Sequence, residues 1–208
     1  MRLADSAILE TLWHQGWYGT AQRAESPNFE ARPPGSNVDL LVIHSISLPP
    51  GEFGNGNVQR LFNNQLNWSG HPYFESLRGL KVSTHFFISR TGELWQFVSC
   101  DARAWHAGAS IFCGRENCND YSIGIEMEGL EGGEFEPPQY QSLSALCHAI
   151  ALRYPVRHIA GHEHIAPGRK HDPGAGFDWG LLHRELAAAG PHSIEFFADM
   201  PDASTAPN

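Results

Sequence analysis

The chain is predicted to fold as a single α/β domain, with helices flanking a mixed central β-sheet. Three observations carry that prediction. Apolar, β-branched runs recur at residues 38–44, 122–128 and 156–160, each bounded by turn-forming residues. Segments with helical apolar spacing alternate with them, the longest at about 138–153. A chain of 208 residues, 41% apolar and 18% charged, is long enough for one substantial core but short for two.

Taken in order, residues 6–15 are spaced as a short helix. Residues 19–37 are polar and rich in Pro, Ser and Asn, the pattern of a surface arm leading into the strand at 38–44. That strand is apolar throughout, as in a sheet covered on both faces. A turn at Pro49-Pro50-Gly51 precedes a short helix at about 58–66. Residues 82–89 and 94–98 flank Arg90-Thr91-Gly92-Glu93, a hairpin signal with glycine at the turn. In the next strand Ile123, Ile125 and Met127 alternate with Gly124, Glu126 and Glu128, so the two sets face opposite ways. The long helix opens with proline, repeats apolar residues at Tyr140, Leu143, Leu146, Cys147 and Ile150, and stops before Pro155. A strand at 156–160 delivers Gly161-His162. The last helix is capped by Asp178, buries Leu181, Leu182 and Leu186, and ends at Gly190. The domain is therefore expected over residues 1–190, with its arm at about 1–37, followed by a mobile polar tail at 191–208.

The formal net charge is −9, and no Lys/Arg run interrupts the acidic surface. Nucleic acid is thereby excluded as a partner, whereas a small anionic substrate is not, because a metal and a few cations reverse the potential inside a cleft. No stretch approaches the roughly 20 apolar residues of a membrane span, and the first residues lack the apolar core of an export signal. Cys100, Cys113, Cys118 and Cys147 then read as reduced thiols in the cytoplasm. Cys113 and Cys118 have the spacing of a metal knuckle, but no second pair completes one. No obligate protein partner is expected.

Most of the twelve histidines need no special role. His44 differs, because it ends an apolar strand, where an imidazole belongs only if it faces a cleft. His162 ends a second strand, and Asp172 follows ten residues later in a loop closed by Pro173-Gly174. Two imidazoles and one carboxylate leave the fourth tetrahedral position of zinc open, as catalytic sites require. On position alone, His164, His171, His85 and His106 compete as ligands, and His85 is equally a structural histidine on a face with Phe87.

Four co-linear blocks carry a resemblance. They are residues 41–54, Ala104-Trp105-His106-Ala107-Gly108, residues 118–129 and residues 161–174. Together they resemble the zinc-dependent N-acetylmuramoyl-L-alanine amidases of the AmpD type, and the likeness spans roughly residues 16–185. The resemblance implies a fold like that of peptidoglycan recognition proteins and one Zn2+ per chain on His44, His162 and Asp172. It implies that Glu126 is the catalytic carboxylate, with Glu128 a decoy on the same face, and that Lys170 stabilises an oxyanion. Trp105 and His106 would line the cleft, Trp105 offering a flat face to a sugar, with Lys81 and Arg115 as further substrate contacts. Ser45, Lys81 and Asn117 depart from the family pattern, which has Asn at the first and Arg at the other two. The implied activity is hydrolysis of the amide between the lactyl group of N-acetylmuramic acid and L-alanine, on small soluble 1,6-anhydromuropeptides during wall recycling. The rivals are an amidase attacking polymeric wall and a non-catalytic muropeptide-binding module. The presence of all three ligands, Glu126 and Lys170 argues against the second.

Overall fold

The apolar run expected to be covered on both faces lies inside the sheet, beside its central strand. In the computed structural model, which describes residues 11–197, seven strands form that sheet. They are β1 (Gln22–Arg23), β2 (Leu40–Ile46), β3 (Phe86–Ile88), β4 (Leu94–Gln96), β5 (Ser122–Glu128), β6 (His158–Gly161) and β7 (Glu195–Phe196). Their spatial order is β7-β6-β2-β5-β3-β4-β1. All neighbours pair in parallel except β3 and β4, which form the antiparallel hairpin across Gly92. The helices are α1 (Asn57–Phe62), α2 (Pro137–Arg153), α3 (His162–Ile165) and α4 (Trp179–Ala189), with one further turn at Pro72–Glu75.

Alternation along the strands sorts the core into layers. Leu41, Ile43, Ile123, Ile125 and Met127 pack with Leu143, Leu146, Ile150, Leu182 and Leu186 of α2 and α4. On the opposite face Leu40 and Val42 join Ala160 and Ile165. A third cluster gathers Leu48, Val58, Leu61 and Phe62 around Phe87 and Phe97. Burial of this apolar surface is the main stabilising term, at about 25 cal/mol per Å². One face of the sheet is thus sealed by helices, while loops and short elements cover the other. The capping of α4 follows expectation, with Asp178 accepting from the Leu181 amide at 2.8 Å, although Leu181 itself is only partly buried.

Three expectations need correction. Of the helix expected over 6–15 only 11–15 lie within the described residues; Thr11 and Leu12 are helical, but the helix stops there and Trp13–His14 pairs with Trp17–Tyr18 as an antiparallel ribbon. Gln15 and Gly16 adopt positive φ, which makes a tight turn and brings the Trp13 and Tyr18 rings to 4.8 Å. The polar stretch 19–37 is tied down. It supplies β1, pairs Phe29–Ala31 with Ala102–Ala104, and buries Ser26 and Asn28. Its Arg32 guanidinium donates to the carbonyls of Cys100, Asn119, Asp120 and Ser122. The tail expected from 191 begins with structure, because Ile194 and Phe196 are buried and β7 extends the sheet beside β6. Residues 198–208 of that tail lie outside the described residues.

Candidate active site

Strand register builds the site. The parallel pairing of β2 with β5 sets Glu126 beside His44 on the loop-covered face. On the other side of β2, β6 pairs Gly161 with Ile43, and the chain turns at once into α3. His162 therefore opens a helix turn instead of ending a strand. Asp172 returns to the same place through a backbone bond, its carbonyl accepting from the Glu163 amide at 2.9 Å. That return needs a bare Gly161, where a Cβ would lie 2.9 Å from Cδ of Pro173.

His44 Nδ1, His162 Nδ1 and Asp172 Oδ2 form a triangle with sides of 2.9, 3.1 and 3.1 Å. All three residues are buried, and among the described residues they form the one tight group of three metal-ligating side chains. His162 Nε2 lies 3.0 Å from the carbonyl of Ala107, which can only accept, and 3.4 Å from Nη2 of Arg169, which itself donates to that carbonyl at 2.7 Å; the shorter contact to His162 puts the ring proton on Nε2 and turns the Nδ1 lone pair inward. His44 also turns Nδ1 inward, and burial, reinforced by His162, pushes its pKa down to about 4, leaving it neutral near pH 7. Lone pairs this close repel unless a cation lies between them. Ligands about 2.0–2.1 Å from a tetrahedral ion would be about 3.3–3.4 Å apart, so the sides of the triangle need to open by only about 0.2–0.5 Å. The donor set fits zinc.

Glu126 lines the same cavity, and its Oε2 is buried without a hydrogen-bond partner. Burial raises its pKa well above the ordinary value, Asp172 adds to the rise, and Lys170 opposes it. Glu128 is different. Its Oε1 accepts from the Gly54 amide at 2.6 Å and its Oε2 from the Arg90 amide at 3.0 Å, so it pins two loops.

The cavity measures about 440 Å³ and includes Lys170, Trp105, Tyr73, Leu80 and Leu130 in its walls. Trp105 is half-buried, with Nε1 unpartnered. His106 also reaches this cavity, but its ring contacts His44, with Nδ1 2.9 Å from His44 Nε2. Lys81 is exposed between Leu80 and Val82 and is absent from the wall itself. Arg115 does not belong to the site. Both its terminal nitrogens bond Asp39 at 2.9 Å and it stacks on Tyr121, at the opposite end of β2 from His44. Ser45 lines the cavity, whereas Asn117 lies on another face with Ile111 and Arg169.

The competing histidines have other occupations. His85 Nδ1 accepts from the Gly124 amide, His164 Nδ1 accepts from the Gly161 amide, and His171 is exposed. Cys113 is exposed and Cys118 buried, and all four cysteines are unpaired. The sequence reading missed Ala107, Asn119 and Ser122, which back the histidines. Asn119 and Ser122, small polar residues leading into and opening β5, carried a signal that many turns share, and Ala107, which acts through its backbone carbonyl, carried none.

The family model described as N-acetylmuramoyl-L-alanine amidase matches residues 34–175. The chain is 48% identical over 183 residues to the 1,6-anhydro-N-acetylmuramyl-L-alanine amidase AmpD of Citrobacter freundii, covering 87% of this chain and 97% of that one. It superposes on the crystal structure of a selenomethionine derivative of AmpD with a TM-score of 0.81 at 46% identity, covering 84% of this chain and 99% of the other. A complex of the amidase AmiD from E. coli with the substrate anhydro-N-acetylmuramic acid-L-Ala-D-γ-Glu-L-Lys matches at a TM-score of 0.52 and 28% identity, covering 74% and 60% respectively.

Proposed function

The chain belongs to the N-acetylmuramoyl-L-alanine amidase family, and on that premise we propose that it uses zinc on His44, His162 and Asp172 to release peptides from 1,6-anhydromuropeptides. One observation carries the reading. Three inward lone pairs meet within 3.1 Å of one another, with an unpartnered carboxyl on the adjacent strand.

When bound, zinc supplies Lewis acidity, polarising a carbonyl and bringing water within reach of ionisation near pH 7. Glu126 is placed to take a proton from the attacking water and hand it to the nitrogen of alanine as the amide breaks. Its raised pKa suits the second step, and a dication nearby lowers it toward the value the first step needs. Lys170 brings positive charge to the same wall, where negative charge develops on the carbonyl oxygen. Trp105 presents a flat apolar face to the sugar.

The choice of substrate rests on the relatives and on size. AmpD is named for the anhydro sugar, and AmiD is complexed with an anhydromuramyl tripeptide. A cavity near 440 Å³ suits one muramyl unit with a short peptide. A net charge of −9 works against adhesion to an anionic wall polymer. We assign the work to the cytoplasm, where the four unpaired thiols stay reduced. No helix among the described residues is long and apolar enough to cross a membrane. The test is parallel digestion of anhydromuropeptide, reducing muropeptide and intact sacculus, with products identified by mass. Fast release from the first and slow attack on the last is expected. Rapid sacculus digestion would instead establish a wall-lytic enzyme.

A further inference from the structure

We propose that the segment His106-Ala107 is the outer support of the metal centre, with His106 a positioning residue that keeps His44 turned toward the metal. The inference rests on the zinc reading above and extends it to residues outside the ligand set.

The backbone carbonyl of Cys118 can only accept a hydrogen bond. The carbonyl of Cys118 takes the Ser122 hydroxyl proton at 2.6 Å. Ser122 Oγ then has only lone pairs left for His106 Nε2, 3.1 Å away, so that nitrogen donates. The remaining nitrogen of a neutral His106, Nδ1, must accept, and the donor facing it is His44 Nε2 at 2.9 Å. A carbonyl three side chains away thereby fixes the His44 proton on Nε2 and leaves Nδ1 free for the metal. One residue further along, the Ala107 carbonyl does the same for His162 at 3.0 Å. Neighbouring residues of a single segment thus hold both ligand imidazoles.

Two further observations concern how the segment is seated. Asn119 Oδ1 accepts from the backbone amides of both His106 and Ala107, at 3.1 and 2.8 Å. Gly124 lies beneath the His106 ring, where a Cβ would come within 2.4 Å of Cγ, the ring atom with the least freedom to move. Glycine inside the Ile-Gly-Ile-Glu strand is therefore explained by the space His106 occupies. His85, which takes the Gly124 amide at 3.0 Å, packs against His106 from the other side with ring centroids 5.7 Å apart.

Outer partners of metal-bound histidines are worth about 10–100-fold in metal affinity. The test measures zinc affinity of the full chain by competition with a chromophoric chelator. Long-range ¹H–¹⁵N spectra of the zinc-free protein report which ring nitrogen is protonated. His106→Phe, which keeps a ring but accepts nothing, should weaken zinc by about 10–100-fold and mix the His44 tautomers. His106→Gln, whose side-chain oxygen can accept from Nε2, should recover most of that loss. Gly124→Ala should weaken zinc by displacing the ring. Should His106→Phe fail to fold, Ser122→Ala decides the matter, because it removes the fixed end of the chain and should by itself mix the His44 and His106 tautomers. Folded His106→Phe and Gly124→Ala proteins that bind zinc within twofold of the unaltered chain would overturn the proposal, as would unchanged tautomers in Ser122→Ala. An unaltered chain that binds no stoichiometric zinc would overturn the metal reading itself.

Discussion

Glu126 and Glu128 stand two residues apart on one face of β5, and their neighbours give them opposite uses. Both oxygens of Glu128 are held by backbone amides, while Oε2 of Glu126, a cavity-lining residue, is buried without a partner. Glu126→Gln should keep zinc bound but lower turnover by about 10²-fold or more, the scale of general acid–base catalysis. Glu128→Gln should leave turnover near normal and cost about 0.5–1.5 kcal/mol of stability, because one of the two loop amides loses its acceptor. A reversed pattern would contradict the assignment. Stability against pH gives an independent check on Glu126. Its folded pKa is raised above the value of about 4.5 expected in the unfolded chain, chiefly by burial, so folding favours the protonated form. That contribution is full below the unfolded pKa and is lost as pH climbs through the folded one. Metal-free protein should therefore lose stability relative to metal-free Glu126→Gln as pH rises above about 4.5, read as a widening Tm difference. A constant difference would mean that the carboxyl is not buried uncharged.

Elements with a sustained period were legible in the sequence, and those held by tertiary contact were not. The alternation at 122–128 matches β5, and the sheet core takes Ile123, Ile125 and Met127 on the face opposite Gly124, Glu126 and Glu128. The long helix was expected at about 138–153 and runs Pro137–Arg153. Two-residue strands carry no period at all. β1 and β7 exist because the sheet edge offers unpaired backbone and the flanking side chains find a core. The site divides in the same way. His44 stood out because polarity interrupts an apolar run, whereas Asp172 was marked only by its place ten residues after His162 in a loop closed by Pro173-Gly174 and by the family resemblance. Arg115 had no such signal, and it pairs with Asp39 far from the cavity. Ser122 and Asn119 act through geometry that only the folded chain creates. Phe196 tests the reality of β7, since it is buried against Trp179 and His183. Phe196→Ala should lower the unfolding free energy by about 3–5 kcal/mol, as measured by denaturant titration. A loss of less than about 1 kcal/mol would show that the last strand is dispensable.

At the scale of the whole molecule, the sheet sets one wall of chemistry between a helical layer and a loop layer. β6, β2 and β5 are adjacent, so ligands and acid come from neighbouring parallel strands or the turns that follow them. Metal and fold are coupled by that arrangement, because the ligands come from segments 118 and 128 residues apart in the chain. Zinc at 100 times its dissociation constant should add about 2.7 kcal/mol to stability, seen as a rise in Tm that Asp172→Ala abolishes. An equal rise in the variant would place the ion elsewhere.

The central claim is that this metal centre breaks the bond between muramic acid and alanine. It is tested most directly by mass analysis of a defined anhydromuramyl tripeptide after incubation with zinc-loaded and chelator-stripped protein. The account predicts anhydromuramic acid and an intact tripeptide with a free alanine amine, formed by the loaded protein alone and restored by adding zinc back. Cleavage within the peptide, or equal cleavage by the stripped protein, would contradict it.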